Sequence, residues 1–378
     1  MTGRSKGCID WMRLMFLSLQ EGLMRRTVQQ EICRAVIGLM MLFASTHAFG
    51  SVSLLVEEPF GRFGAFNPTG HAAIYLDHVC ADTPTRLRMC RAGEMGVVVS
   101  RYHRVGGYDW VAVPLIPYLY AVEDLSDVPE TATPALEAQL RDAYRREHLM
   151  ELAPDAADGK TPRGEWIQLV GSSYDRKIYG FELPTTTEQD ERLVAKLNDS
   201  RNRAHFNLFF NNCADFSRGV LRTLYPGSIP RNALADFWLT TPKHLAKSMT
   251  KFGQRDETVD LKVFQIPQVP GTIERSRKIN GIAESLVRSK KYMVPLLFVS
   301  PTTAGSLLAA YVGTGRFRMP KSPPVMEALQ PVDALGISLT ADAIALPIAA
   351  SPVPGTVCSA PLQREAVTET LLSGGGGQ

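Results

Sequence analysis

Two residues in this 378-residue chain have the types and settings for covalent acyl chemistry: Cys213 and His71. Cys213 follows a strand-like apolar run that ends in two asparagines, His205-Phe206-Asn207-Leu208-Phe209-Phe210-Asn211-Asn212. After it, Phe216, Val220, Leu221 and Leu224 recur at helical spacing. Asn212 is a good N-cap, and Asp215 stands three residues on, where a capping acid belongs. The spacing therefore predicts that Cys213 opens a helix, among unpaired amides and the positive end of the helix dipole. That setting favours a thiolate, the nucleophilic form of cysteine.

A thiol nucleophile needs a base, and His71 is the candidate. It lies in Gly70-His71-Ala72-Ala73-Ile74-Tyr75-Leu76-Asp77, which reads as a half-buried strand. His71, Ala73, Tyr75 and Asp77 share one face, and Ala72, Ile74 and Leu76 the other.

Composition narrows the compartment and the partners. Residues 1–50 carry six Lys/Arg and three Asp/Glu, and the rest of the chain has 35 of each sign. Neutrality outside the N-terminus gives nucleic-acid binding no support. Arg25, Arg26 and Arg34 precede the uncharged run 35–44, and small residues follow at Thr46-x-Ala48 or Ala48-x-Gly50. This is the grammar of a signal peptide, and the run is too short to span a bilayer. The expectation is an exported protein, periplasmic, at the cell surface or membrane-associated, with a mature chain beginning near Phe49 or Ser51. In such a compartment Cys80 and Cys90, which flank a turn-like stretch, are candidates for a disulfide. His78, Cys80, Cys90 and His103 lack paired metal-ligand spacing, so neither a metal nor a cofactor is expected.

The elements that must position the pair follow from periodicity. Ser53–Glu57, Gly70–Asp77, Arg86–Cys90, Gly96–Tyr102 and Trp110–Pro114 read as strands. Thr133-Pro134 opens a helix running to residue 149. Trp166–Val170, Lys177–Leu183, 205–210 and 260–268 read as strands. Thr187 begins a helix, Ala233–Leu239 forms a short one, and Thr241 caps another. Four regions result: a leader over 1–50, an α+β catalytic domain over 51–270, a helical apolar segment over 271–318, and a disordered Pro/Ala-rich tail over 319–378. The uncharged stretch 292–315 is long enough to cross a membrane but is weakened by Pro295, Pro301 and Gly305.

Histidine early on a strand and cysteine late at a helix start is the reverse of papain order. With Gly70-His71-Ala72-Ala73-Ile74-Tyr75-Leu76 and Asn211-Asn212-Cys213-Ala214-Asp215-Phe216, the chain resembles the circularly permuted papain-like superfamily. This is the broad NlpC-type group that includes lecithin retinol acyltransferase-like proteins. The resemblance implies a small antiparallel sheet, carrying the histidine, packed against the cysteine-bearing helix, here followed by a C-terminal extension. It also implies a cysteine hydrolase, an amidase or peptidase, with Cys213 as nucleophile, His71 as base and a thioacyl-enzyme formed on Cys213. The same resemblance implies a third polar group on the strand beside that of His71, orienting the imidazole; Ser100 and Glu94 are the candidates for it, and Asp77 lies too far along the strand. Cell-wall peptides are the expected substrates. A lipid acyltransferase or lipase of the same fold, or a surface-binding module without catalysis, are the alternatives. Membrane association through 292–315 would suit the lipid reading.

Overall fold

The structure is a computed structural model describing residues 49–326, apart from 62–67, 104, 204–205, 208–209 and 231–235. Residues 1–48 of the expected leader and most of the expected tail lie outside the described residues; Phe49 and Gly50, the last two of that leader, begin the first strand.

The elements run β1 (Phe49–Glu57), β2 (His71–Leu76), β3 (Val79–Thr83), β4 (Arg86–Met89), β5 (Val97–Ser100), β6 (Val111–Pro114), α1 (Leu115–Tyr120), α2 (Pro134–His148), α3 (Ser172–Asp175), β7 (Ile178–Thr186), α4 (Thr187–Asp199), α5 (Cys213–Leu224), α6 (Pro242–Arg255), β8 (Lys262–Ile266), α7 (Ile282–Arg288), α8 (Lys290–Val299) and α9 (Pro301–Ala310). Six strands form one antiparallel sheet in the order β6-β5-β2-β1-β7-β8, and β3 and β4 make a separate hairpin. The chain is α+β, as expected.

β2 sits near the middle of the sheet, and all six of its residues are buried. The half-buried strand expected from alternation is thus covered on both faces. One face packs Ala72, Ile74 and Leu76 against Ala214, Val220, Leu221 and Leu224 of α5 and Leu245 and Met249 of α6. The other packs Ala73 and Tyr75 with Tyr102, Leu115, Tyr118 and Tyr174. Each large apolar side chain among them stabilises the fold by about 1.5–3 kcal/mol on burial. The sequence hides the second layer because that face carries His71 and Asp77 beside Ala73 and Tyr75, and so reads as solvent-facing.

Local chemistry sets the helix starts. Thr133 accepts from the Leu136 amide, with proline at the first helical position. Thr186, one residue before the expected start of α4, caps that helix reciprocally with Gln189. Thr241 caps α6 through the His244 amide.

Several expectations fail for identifiable reasons. Glu165–Gln168 is a 3-10 turn rather than part of a strand; Trp166 is buried and donates its indole N–H to the Pro162 carbonyl at 2.8 Å. A short apolar run without a partner strand is ambiguous by period alone. In 205–210, the described residues form no strand: Asn207 and Asn211 bond each other's backbones, so the chain turns back there. The helix expected over Ala233–Leu239 falls largely outside the described residues.

The segment after 270 is not a separate appendage. Arg277 and Asn280 donate backbone bonds to Pro59 and Pro68, Ser276 binds Glu58 at 2.7 Å, and buried Glu284 pairs with Lys243. The expected tail also begins in order: Val325 bridges Gln265, and Met319 packs on the core beside Phe317 of the preceding segment. Among the described residues no helix is long and apolar enough to cross a membrane. The stretch 292–315 is instead divided at Ser300 into α8, α9 and a terminal π turn over Tyr311–Gly315.

Candidate active site

Cys213 opens α5, as its neighbours require. The Asn212 side chain accepts from the Asp215 amide at 3.0 Å, and Asp215 accepts from the Asn212 amide at 3.3 Å. This reciprocal cap fixes the first turn, and Asn212 Nδ2 ties it to the Thr240 carbonyl at 3.2 Å. Asp215 also accepts from the Thr240 hydroxyl, so it is a capping and tethering acid. Phe216, Val220, Leu221 and Leu224 are buried beneath, which holds the helix on the sheet face next to β2.

The histidine is set by strand register. His71 opens β2 opposite Glu57 of β1. The ladder between β2 and β5 covers Ile74 to Leu76 and ends short of Ala72. Beyond it, side chains take over the backbone groups. Ser100 donates its hydroxyl to the Ala72 carbonyl at 2.8 Å, and the Ala72 amide faces the Cys213 sulfur. The residue after the histidine therefore links the nucleophile's helix to the strand that carries the third polar group.

Ser100 Oγ also lies 3.0 Å from His71 Nε2. With its proton on the Ala72 carbonyl, Ser100 Oγ has lone pairs left to accept, which favours the tautomer that carries its proton on Nε2. That leaves the lone pair on Nδ1, the form a general base needs. Tyr102 stacks on the imidazole with centroids 5.1 Å apart. No hydrogen bond joins Cys213 to His71 among the described residues. In ligand-free enzymes such bonds are often long and close only in the complex.

Behind the ring lies a buried polar cluster that sequence reasoning missed. Tyr118 donates to Glu57, which is ion-paired with Arg176 at 2.8 Å, and Arg176 stacks on Phe60 at 4.3 Å. Burial pushes the Glu57 carboxyl up, and Arg176 opposes it. The one local signal was a carboxylate ending a run of apolar strand residues; its partners are distant in sequence.

Electrostatics separate the site from the thiolate expected at a helix start. Cys213 is partly accessible as a residue, yet protein atoms crowd its sulfur. Burial pushes the thiol up to about 11, against the amides of Ala72, Ala214 and Cys213 itself, which favour the anion. Burial, with nearby Arg176, pushes His71 down to about 3. At rest both groups are neutral. A proton passing between them keeps the pair's net charge at zero, and the opposite charges it creates attract strongly in a buried setting.

The remaining candidates lie elsewhere. Glu94 is held by Arg88 at 2.6 and 2.7 Å and by the Arg91 amide, and Arg88 draws its carboxyl down to about 2. It is not brought to His71. Cys80 and Cys90 are joined as a disulfide beside it, so the cluster of two sulfurs and Glu94 offers no thiolate pair to a metal. Arg101 donates to Asn211 at 2.5 Å and pairs with Asp109 at 2.6 Å, clamping the turn before Cys213 to the end of β5.

No protein-family model matches the chain, and no curated protein matches it. A solved structure is similar to it: the crystal structure of the Type VI secretion system effector TseH. The two share 15% identity over 57% of this chain and 97% of that one, with a TM-score of 0.25.

Proposed function

We propose that the chain is an exported cysteine hydrolase of permuted papain-like fold that cleaves an amide, with short cell-wall peptides as its substrates. One observation carries the reading: Ser100 Oγ lies 3.0 Å from His71 Nε2 and donates to the carbonyl of Ala72, whose amide faces the Cys213 sulfur. The tautomer this favours keeps the lone pair on Nδ1 for the proton of the thiol. In the reaction, Cys213 Sγ attacks the carbonyl carbon as its proton passes to Nδ1. The oxyanion gains the Cys213 amide, which at the first helical position has no intrahelical partner. The imidazolium then gives its proton to the leaving amine. Water, deprotonated by the same nitrogen, releases the acid from the thioacyl-enzyme and restores the thiol.

A non-catalytic module of the same fold is favoured by one feature: burial holds both groups neutral. The test is product analysis after incubation with cell-wall peptide fragments. New amine and carboxylate termini with the wild type, absent with Cys213→Ser, support the hydrolase. Intact peptides with both proteins leave the module.

A further inference from the structure

Helices α8 and α9 present the largest concentration of exposed apolar side chains among the described residues. Phe298 and Val299 are 85% and 84% exposed, and Tyr292, Val294, Leu297 and Leu308 are each about half exposed. No residue of α8 is buried; α9 is anchored by Ala304 and Leu307 alone. Both ends of the pair return to α7. α8 follows it across the single residue Ser289, and Tyr311 beyond α9 bonds Glu284 of α7 at 3.4 Å. The corner at Val299-Ser300-Pro301 is therefore the part furthest along the chain from the anchored ends, and it carries the most exposed apolar groups.

Charge says what covers this surface. From 285 to 326 the chain has six cations, Arg288, Lys290, Lys291, Arg316, Arg318 and Lys321, and no carboxylate; Arg288 reaches back to Glu284 of α7 at 3.0 Å. They flank the uncharged stretch at both ends, and all six are exposed. Lys290 and Lys291 occupy the first two positions of α8, where the helix dipole disfavours a cation. Helix stability does not account for them there; an anionic surface facing the anchored end does. Length agrees as well. A ten-residue helix is about 15 Å long, half of a hydrocarbon core of about 30 Å.

We propose that α8 and α9 insert corner-first into one leaflet of an anionic membrane, with Phe298 and Val299 in the acyl region and the flanking lysines and arginines at the headgroups. The segment then docks on the membrane without crossing it, and holds the Cys213 domain at the surface. The inference does not depend on what Cys213 does.

The test uses the full chain and vesicles of phosphatidylcholine with or without phosphatidylglycerol. A Phe298→Trp variant, read against the wild type, reports depth through quenching by lipids brominated along the acyl chain. Expected are blue-shifted, quenched emission on phosphatidylglycerol vesicles and loss of affinity by roughly a thousandfold in Lys290→Gln/Lys291→Gln/Arg316→Gln/Arg318→Gln. The exposed pair Phe298→Ser/Val299→Ser should keep the fold by circular dichroism and lose most vesicle binding. Three results overturn the proposal. One is that the indole introduced by Phe298→Trp stays unquenched in vesicle-bound protein. Another is equal binding by wild type and both multiple variants. The third is self-association of the soluble chain, abolished by Phe298→Ser/Val299→Ser, with no lipid binding.

Discussion

The pH dependence of Cys213 alkylation separates a neutral resting pair from a preformed ion pair. An ordinary thiol near 8.5 is about one-tenth thiolate at about pH 7.5. Pushed up to about 11, Cys213 is thiolate only to about 3 parts in ten thousand at that pH. The more basic thiolate is intrinsically more reactive, with a Brønsted slope of about 0.5, which recovers roughly a factor of twenty. Net alkylation by iodoacetamide should be roughly twentyfold slower than that of an unstructured thiol, and should still be rising with pH past about pH 10. Because burial keeps His71 uncharged across this range, His71→Ala should change the rate by less than about threefold. Timed labelling, quenching and peptide mass mapping read Cys213 apart from the other cysteines. A rate that is already flat from about pH 5, and that collapses in His71→Ala, would refute the reasoning. It would mean that His71 is charged at rest and that its imidazolium, added to the amides of Ala72 and Ala214 and the helix dipole, outweighs burial.

Three further outcomes follow from the packing. Ser100→Ala removes two hydrogen bonds, each of about 1 kcal/mol, and frees the His71 ring; kcat should fall about ten- to a hundredfold with KM little changed, read by steady-state kinetics. Burial raises Asp190 to about 7, with Thr185 and His78 opposing, so its native form is protonated where its unfolded form is charged. That contribution to stability is full below about pH 4 and is lost as pH rises to about 7, so Asp190→Asn should gain about 2–4 kcal/mol at about pH 8 and nothing at about pH 4 in urea titrations. Cys80→Ser/Cys90→Ser opens a crosslink of sequence separation 10 and should cost about 3 kcal/mol by loop entropy, with Cys213 labelling unchanged.

What was legible in the sequence was local. Asn212 and Asp215 announce the cap that places Cys213, because both partners lie within four residues. Alternation gives the strand of His71, and Ser100 is named through the resemblance, which puts a polar group on the strand beside it. Glu57, Arg176, Tyr118 and Tyr102 could not be assembled, since strand pairing and loop closure over tens of residues bring them together. Burial of the thiol is equally non-local, and it reverses the direction that helix position alone suggests. Glu94 was misread because a carboxylate's partner is decided in space, here by Arg88 on the β4 strand. The apolar stretch after Lys291 was ambiguous by hydropathy, and Ser300 and Pro301 break it into two short helices.

The central claim is that Cys213 is acylated with His71 as its base. Its most direct test is intact-mass and peptide analysis of the chain after brief reaction with an activated acyl ester or a substrate peptide, stopped in acid. The account predicts one acyl group on Cys213 in the wild type, none in Cys213→Ser, and formation slowed about a hundredfold or more in His71→Ala. Product release with no adduct on Cys213, undiminished in Cys213→Ser, would contradict it.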